Sequence, residues 1–377
     1  MATPSVSESK LGCVRGLTAL RRGDPAPLAA WMRAHLLEHV MPFWERHAFD
    51  ELGGLATCIA DNGRVLSGDK WLWSQWRAVW VFSRIHRSLG HDPRWRERAR
   101  RVIDFCARTG WDEKAGGWAL LLDRSGRILR GQESIYSDGF AIYGLVEFHQ
   151  ATGDRAALEL AVKTADAALR QLAGPYDRIP HFPYPIPPGA KPHGLPMMFA
   201  LILAELGAVT GNPRYRSAAA AFADEVFRDF YRRDRDLVLE FVGTDGSEYP
   251  RPQGTAVVPG HVIEDMWFQV HVCDLLRRDP ARLAEAFRLT LRHLELGWDS
   301  ARGGGLLLAV DADGREPVGW KFADSKLWWP QTEALYATLL GWERTRQPEF
   351  LDWYERVWQV CLDHFVDWQH GEWRQKL

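Results

Sequence analysis

A histidine, a glutamate and a tryptophan follow one another at intervals of three in VVPGHVIEDMWFQV, residues 257–270. This spacing puts His261, Glu264 and Trp267 on one face of a helix, and the preceding Pro-Gly marks where such a helix starts. The histidine therefore has two interpretations. It is a packing residue at a helix start, or it is an acid–base group directed into a cavity, since imidazole titrates near neutral pH.

The composition restricts the classes of protein that fit. The 377 residues are 46% hydrophobic, enough for a large core, and a net charge of −2 predicts no nucleic-acid and no membrane-surface partner. The five cysteines are far apart and form no metal-type pair, so we predict a cytoplasmic protein without a metal site. The first residues, MATPSVSESK, lack the apolar core of a signal peptide, and no run reaches the roughly 20 apolar residues of a membrane helix.

Nineteen tryptophans are the unusual feature of the composition. We expect at least half of them to be ordinary core residues. Because an indole N–H needs a hydrogen-bond partner, tryptophan is costly as mere filler. A rim of tryptophans around a polar cavity would suit a sugar, whose C–H faces stack on aromatic rings.

Helical patterns, with apolar residues three and four positions apart, fill most of the chain. Short turns such as LGHDPRW and VTGNPRY join them in pairs, which is typical of antiparallel helical hairpins. The predicted helices cover residues 27–46, 70–89, 94–109, 134–152, 155–173, 191–210, 213–231, 260–278, 280–296, 325–345 and 348–366.

A second unit recurs between the helical hairpins. It consists of an apolar run and then N-G, S-G or D-G, the signature of a β-hairpin. Such repeats indicate a repeat architecture, and helical hairpins arranged in a ring make an all-α (α/α)6 barrel with short β-hairpins on its loop face. The copies are GGLATCIADNGRVL, GGWALLLDRSGRIL, DLVLEFVGTDGSEY and GGGLLLAVDADGREPV, and a fifth begins at HGEWRQKL.

The barrel needs about twelve helices, and the patterns account for eleven. We therefore expect residues 26–377 to form one barrel domain that is incomplete at its C-terminus, where the last helix is missing. Residues 1–25 are expected to be a flexible or loosely packed segment. A barrel without its last helix would leave apolar residues uncovered, namely Trp31, Leu36, Val357 and Leu362.

Seven stretches resemble the N-acylglucosamine 2-epimerase family, which includes cellobiose 2-epimerases and aldose–ketose isomerases. The resemblance extends over nearly the whole chain in the family's order, and it implies the same (α/α)6 barrel. The stretches are PFWERHAFDELGGLATC (42–58), KWLWSQWRAVWVFSRI (70–85), SIYSDGFAIYGL (134–145), PHGLPMMFALI (192–202), PGHVIEDMWF (259–268), KLWWPQTEAL (326–335) and HGEWRQKL (370–377).

The resemblance implies a chemistry for the opening stretch. Removing the hydrogen on C2 of an open-chain sugar gives an enediolate, and returning a proton to the other face inverts C2 without a cofactor. Returning it to C1 gives the ketose instead. The protein must supply a base, a partner on the other face and donors to the enediolate oxygens. By resemblance, His261 is one of two acid–base histidines and Glu264 orients or polarises it.

Further site residues follow from the same resemblance. Arg77 matches the family arginine that contacts the sugar oxygens near C1 and C2, and its tryptophan-rich surroundings argue against a solvated surface position. His193 opens a helix, where it could equally be a cap or packing residue. For Glu333, the alternative to substrate binding is that it merely anchors a neighbouring residue. The predicted substrate-binding residues are Tyr136, His193, Trp267, Trp329, Gln331 and Glu333, with Trp329 stacking on the sugar.

The family's second acid–base histidine lies after the GEW segment, in a Phe-His motif that opens the last helix. This sequence ends at Leu377, just after Trp373. His370 belongs to the GEW segment itself, so we do not assign it that role. Either the sequence is a fragment or the last helix is absent, and only in the second case would the second acid–base histidine of the family be missing.

The sequence predicts a cofactor-free sugar 2-epimerase acting on a free mono- or disaccharide such as N-acetylglucosamine or N-acetylmannosamine. The alternatives are an aldose–ketose isomerase of the mannose/fructose type and a non-catalytic sugar-binding homologue. A glycoside hydrolase would need two carboxylates flanking the scissile bond, and no such pair is evident at matched helix starts. No nucleic acid and no membrane is expected as a partner, and a homodimer is the assembly we consider.

Overall fold

The structure, a computed structural model, describes residues 6–278 and 280–377. Helices dominate it, and π-helical turns extend three of them: His35–Val40, Val226–Phe230 and Cys361–Phe365. The first of these turns joins α2 and α3 into one continuous helix. The helices are α1 Val6–Arg21, α2 Ala26–Ala34, α3 Met41–His47, α4 Leu72–Ser88, α5 Pro93–Thr109, α6 Ile135–Thr152, α7 Arg155–Leu172, α8 Gly194–Thr210, α9 Pro213–Glu225, α10 Pro259–Leu276, α11 Pro280–Gly297, α12 Trp328–Thr345 and α13 Pro348–Val360, with 3₁₀ turns at Tyr176–Arg178, Gln253–Thr255 and Ser300–Arg302.

All eleven predicted helices are confirmed, each starting within three residues of its expected position. Asp92, Asp154 and Asn212 cap α5, α7 and α9 by accepting a backbone hydrogen bond from the first turn. These capping residues lie in the short turns that the sequence pattern identified. Helix α8 starts three residues late because residues 190–192 pair as a strand.

The helices alternate between an inner and an outer layer. Helices α4, α6, α8, α10 and α12 pack side by side in that order, and each forms a hairpin with the helix that follows it. The inner helices α6, α8 and α10 are buried on most sides, whereas outer helices such as α5 bury one stripe only. Because each hairpin reverses the chain, the inner helices run parallel, and their N-terminal ends meet at one end of the molecule.

The N-terminal segment corrects one prediction. Residues 1–5 lie outside the described part, but Val6–Arg21 is a helix packed against α2, not a loose segment. Its buried residues Cys13, Leu17 and Leu20 recur at helical spacing. A Cβ on Gly16 would lie 2.8 Å from the Leu28 Cα, so glycine permits this close approach.

Helix α1 also lies along α13, in the antiparallel direction. Arg21 binds Asp352 at 2.6 Å and Lys10 lies 3.5 Å from Asp363. The expected exposed face at residues 357 and 362 is therefore absent, since both side chains are buried in one cluster with α1. Helix α1, which the sequence pattern missed, covers these residues.

In the described part of the chain, thirteen short strands connect the helices, and their pairings are antiparallel. The N-G and S-G hairpins are confirmed as β1–β2 and β6–β7. The two D-G units do not form hairpins: β11 pairs with β8, and β13 pairs with β12. Prolines follow both turns, and they lack the backbone N–H that a returning strand would donate. The strands are β1 Cys58–Ile59, β2 Val65–Ser67, β3 Lys70–Trp71, β4 Trp111–Asp112, β5 Gly117–Trp118, β6 Leu121–Leu122, β7 Ile128–Arg130, β8 Ala190–Pro192, β9 Tyr231–Arg232, β10 Leu237–Val238, β11 Phe241–Gly243, β12 Ala256–Val257 and β13 Val310–Asp311.

The repeated Gly-Gly units are tied to the inner helices by one recurring contact. Gln75, fourth in α4, exchanges hydrogen bonds of 2.7 and 2.9 Å with the backbone of Leu55. Gln331, fourth in α12, does the same with Leu306 at 3.0 and 3.1 Å. Asp138, fourth in α6, accepts from the backbone after the second Gly-Gly at 3.0 Å. Each loop is thereby held over the N-terminal end of an inner helix.

None of the helices in residues 6–278 and 280–377 combines the length and apolar character that crossing a bilayer requires.

Candidate active site

His261 lies in the first turn of α10, where Pro259 starts the helix. Its Nδ1 is 3.1 Å from Oε2 of Glu240, a carboxylate that only accepts, so Nδ1 carries a proton. Among the described residues Nε2 has no hydrogen-bond partner, and 26% of the side chain is exposed. His261 thus presents a free ring nitrogen from a fixed orientation.

The surroundings of His261 favour its protonated form. Burial lowers the pKa of the imidazole, but Glu240, Glu264 and Asp265 outweigh it and the pKa lies above its usual value. Glu240 is itself buried, with 3% of the residue exposed, so solvent screens this pair little. A histidine held in this way can give a proton from Nε2 near neutral pH.

Glu264 does not orient His261 as predicted. It lies one turn further along α10 and makes no hydrogen bond to the ring, whose Nδ1 is held by Glu240 from the segment between β10 and β11. The helical spacing identified the right face but not the bonded partner, because that partner comes from a loop. Glu264 still acts on His261 through its charge.

A second cluster contains Arg77 of α4, Glu264 of α10 and Glu333 of α12. Arg77 is accessible in the space between the inner helices, and its guanidinium lies 3.8 Å above the Phe140 ring. Enclosure by protein lowers its pKa, and the charges of both glutamates oppose that effect. The structure therefore brings Arg77, Glu264, Glu333 and His261 together.

Glu333 is a strongly perturbed carboxyl of this cluster. Burial and the neighbouring Glu264 raise its pKa to about 8, although the Trp267 N–H donates to Oε2 at 2.8 Å. At neutral pH Glu333 therefore retains a proton. Trp267, predicted to bind substrate, uses its N–H within the protein and anchors Glu333.

Tyr136 stands at the start of α6 beside a histidine that the sequence reasoning missed. Its hydroxyl is 2.8 Å from Nε2 of His181, and both side chains are half-buried. Burial, Glu240 and Glu264 raise the pKa of Tyr136 well above its usual value, so the phenol stays protonated. His181 lies in the proline-rich stretch IPHFPYPIPP, where no periodicity pointed to it.

The Trp329 ring packs against the His261 imidazole at an interplanar angle of 32°, with ring centroids 5.2 Å apart. Trp320, from the loop before α12, meets the same imidazole edge-on at 6.3 Å, and its Nε1 is buried without a partner among the described residues. Trp320 was not predicted. The two indoles enclose His261 from two sides.

Two predicted substrate-binding residues are corrected. His193 is completely buried, and its Nε2 is 2.8 Å from Oδ2 of Asp265. Gln331 is also completely buried and binds the backbone of Leu306 and Leu327. Neither side chain is exposed, because each is used to hold a helix start or a loop, the packing interpretation that was open for His193.

Comparisons with known proteins identify the family of this chain. The profile of the N-acylglucosamine 2-epimerase (GlcNAc 2-epimerase) family matches residues 53–377. The N-acylglucosamine 2-epimerase of Homo sapiens is 30% identical over 368 residues, covering 92% of this chain and 82% of that protein. A cellobiose 2-epimerase of Ruminococcus albus is 23% identical over 360 residues, covering 92% and 90%.

Solved structures share the fold. A sugar epimerase from a ruminal bacterium superposes with a TM-score of 0.79 at 21% identity, covering 92% of this chain and 90% of that one. A D-mannose isomerase superposes with a TM-score of 0.77 at 20% identity, covering 92% and 89%. With a family profile that spans most of its length and relatives at 30% identity, this chain belongs to the N-acylglucosamine 2-epimerase family.

Proposed function

We propose that this protein is an isomerase that inverts C2 of a free aldose through an enediolate, with His261 as one acid–base group. The observation that carries the proposal is the His261–Glu240 pair at the start of α10. It fixes the imidazole through Nδ1 and leaves Nε2 without a hydrogen-bond partner among the described residues, with two aromatic rings packed against the imidazole. The reaction moves protons and one electron pair within the sugar, so it changes no overall oxidation state.

His261 exchanges a proton with C2 through Nε2. In the direction that protonates C2, the imidazolium gives up this proton and the enediolate collapses to the aldehyde. Glu240 favours the imidazolium before the step and keeps the ring in place after it, as a buried carboxylate does for a catalytic histidine.

Arg77 stabilises the charge that develops on O1 and O2. A guanidinium provides several N–H donors in one plane, and Phe140 supports this one from below. Burial raises the pKa of Glu264, against the opposing charges of His261 and Arg77, and burial and Glu264 raise that of Glu333 to about 8. Fixed donors directed at a developing oxyanion contribute most where the surroundings exclude water.

The substrate class follows from the relatives. Proteins named N-acylglucosamine 2-epimerase from four mammals are 29–30% identical to this chain, and cellobiose 2-epimerases are more distant at 22–23% over most of its length. We therefore propose N-acetylglucosamine and N-acetylmannosamine as the pair of epimers. The cytoplasmic location and the homodimer stay predictions from the sequence.

The structure contains a carboxylate pair that the sequence did not reveal, and the pair bears on the hydrolase alternative. Glu264 and Glu333 influence each other's protonation, as paired carboxyls in glycosidases do. They project from α10 and α12, which are adjacent inner helices. Hydrolysis requires two carboxyls that flank one bond, so cleavage of a glycosidic bond is the outcome that distinguishes this alternative.

The test is incubation with free sugars in heavy water, followed by NMR. We expect C2 deuteration and interconversion of N-acetylglucosamine and N-acetylmannosamine, with mannose, glucose and cellobiose in the same panel. A ketose product would support the aldose–ketose isomerase, cleavage of cellobiose the hydrolase, and no reaction the non-catalytic homologue.

A pair of histidine variants localises the activity. His261→Ala should lower turnover by about 10²- to 10⁴-fold, the usual contribution of an acid–base group. His364→Ala, which changes an exposed histidine beyond α13, is the matched control and should leave turnover unchanged. Turnover within a few-fold of the parent for His261→Ala would assign His261 to packing.

A further inference from the structure

We propose that His193 and Asp265 are positioning residues for His261, the acid–base group of the proposed function. This buried pair fixes the segment that carries Glu240 and keeps a negative charge one helical turn from the imidazole. The inference rests on the proposed function, because His261 receives its role there. It gives a role to two polar side chains that are completely buried.

The pair connects α8 to α10. Nε2 of His193 lies 2.8 Å from Oδ2 of Asp265, and neither side chain is exposed. The other carboxylate oxygen, Oδ1, accepts from the side-chain amide of Gln269 at 2.9 Å. Burying a carboxylate is costly unless it is hydrogen-bonded, and Asp265 has a donor for each oxygen.

The surroundings of His193 determine its tautomer. Its Nδ1 is buried and has no hydrogen-bond partner among the described residues. A proton on that nitrogen would be a buried donor without an acceptor, which is unfavourable. The ring proton therefore lies on Nε2 and is donated to Asp265, so the carboxylate needs no proton of its own.

The backbone of His193 holds the segment of Glu240. The His193 N–H donates to the Glu240 carbonyl at 2.9 Å, and the Glu240 N–H donates to the carbonyl of Ala256 at 2.8 Å. The first bond continues the β8–β11 pairing, in which Pro192 lies opposite Phe241. His193 therefore binds the Glu240 segment through its backbone and α10 through its side chain.

A second buried histidine holds the same segment from the outer layer. Nε2 of His293, in α11, accepts from the N–H of Val238, two residues before Glu240, at 3.2 Å. Its Nδ1 donates to the Leu289 carbonyl at 2.8 Å. Burial lowers the pKa of His293 to about 4, so the ring is neutral near pH 7 and keeps both bonds. The Glu240 segment is thus anchored on α11 as well as on α8.

Asp265 also acts on His261 through its charge. It follows His261 by four residues, a spacing at which helical side chains are neighbours, with Cβ atoms about 5–6 Å apart. Burial lowers the pKa of the imidazole, but the charges of Glu240, Glu264 and Asp265 raise it above its usual value. His193 supplies Asp265 with a donor and so helps to keep this charge in place. Other titratable groups interact with His261 or Glu264, namely His181 from the loop before α8, Arg77 from α4, His193 itself and Glu333 from α12.

Loss of the donor and loss of the charge should therefore have the same effect. In Asp265→Asn the negative charge is absent. In His193→Leu the buried carboxylate loses its donor on Oδ2, and burial then favours the protonated acid. Either change lowers the pKa of His261, so the imidazolium loses its proton at lower pH.

The test measures kcat/KM for N-acetylglucosamine epimerisation against pH, with the full chain. The alkaline limb should move toward acid by up to about one pH unit in Asp265→Asn and in His193→Leu, since the charge acts across one helical turn. The double variant should shift no further than either single variant, because both changes remove the same charge. His193→Gln keeps a side-chain N–H donor and should restore the parent profile.

His86→Gln is the matched control. His86 is also a buried histidine that holds a loop, with Nδ1 2.9 Å from the Asp92 carbonyl oxygen, but it lies in the last turn of α4. That turn is at the opposite end of the inner helices from His261. The replacement should lower the melting temperature without moving the alkaline limb. A merely structural His193–Asp265 pair would behave in the same way.

NMR titration of His261 separates failure of the pair from failure of the proposed function. The signal is assigned by its absence in His261→Ala, and its pKa should fall in Asp265→Asn whether or not the protein converts a sugar. Asp265→Asn preserves the size of the side chain, so it decides the test if His193→Leu does not fold.

An unchanged pKa of His261 in Asp265→Asn would overturn the inference, as would a His193→Gln profile with the acid shift expected of His193→Leu. A lowered pKa in a protein without epimerase activity would support the pair and refute only the proposed function.

Discussion

Replacing Glu240 by glutamine tests the central pair of the proposed site. Glutamine has the same shape and keeps one oxygen that can accept from Nδ1 of His261, 3.1 Å away, so the ring can keep its orientation. The substitution removes the negative charge. Its effect therefore reports what the charge contributes.

The magnitude follows from the burial of the pair. Glu240 is 3% exposed, and a hydrogen bond to a charged group contributes about 1.5–3 kcal/mol. At about 1.4 kcal/mol per factor of ten, this corresponds to a loss of about 10- to 150-fold in kcat/KM. The loss should be smaller than that of His261→Ala, because the imidazole itself remains.

The direction of the pH effect is also determined. Glu240 raises the pKa of His261, so its removal lowers that pKa and the imidazolium loses its proton at lower pH. Activity that needs the imidazolium then declines at lower pH than in the parent. The alkaline limb of kcat/KM should move toward acid in Glu240→Gln.

The assay is the initial rate of N-acetylglucosamine epimerisation from pH 5 to 10. Glu248→Gln, an exposed carboxylate eight residues further along, is the control and should leave rate and profile unchanged. An alkaline limb that stays in place or moves to higher pH in Glu240→Gln would refute the electrostatic role of Glu240.

Three further substitutions test the cluster, the N-terminal helix and the loop contact. Arg77→Met should lower kcat/KM by about 10²- to 10³-fold, the usual effect of removing an oxyanion donor, and initial rates within a few-fold of the parent would contradict its role. Leu20→Ala should lower the free energy of unfolding in urea by about 2–5 kcal/mol because Leu20 is 2% exposed, whereas Leu11→Ala, at 52% exposed, should change it by less than about 0.5 kcal/mol. Gln331→Leu should lower the free energy of unfolding in urea by about 1–3 kcal/mol for each buried backbone group of Leu306 that is left without a partner. An unchanged free energy of unfolding would show that water or another group replaces the contact.

The sequence alone determined the elements and the family. Apolar spacing located eleven helices because a helix that packs on one side repeats its buried residues every three to four positions. The recurring Gly-Gly units indicated a repeat, and the structure gives their physical basis, a Gln or Asp in the first turn of an inner helix. Helix α1 was missed because its glycines, Gly12 and Gly16, are typical of a close contact and weaken the helical pattern.

The sequence also identified His261 and Arg77 as the residues to examine, since both lie on helices in stretches that follow one another in the family's order. It could not find Glu240 or His181. Glu240 is 21 residues from His261, and His181 is 45 residues from Tyr136. Both stand in connecting segments where side chains follow no period.

Only the tertiary structure decided which side chains face the site. His193 and Gln331 lie at helix starts like His261, but neighbouring loops and helices cover them completely. Spacing along one chain fixes the relative direction of residues within a helix. Whether that direction leads to a cavity or to a backbone partner depends on segments far away in sequence, which pack against the helix only after folding.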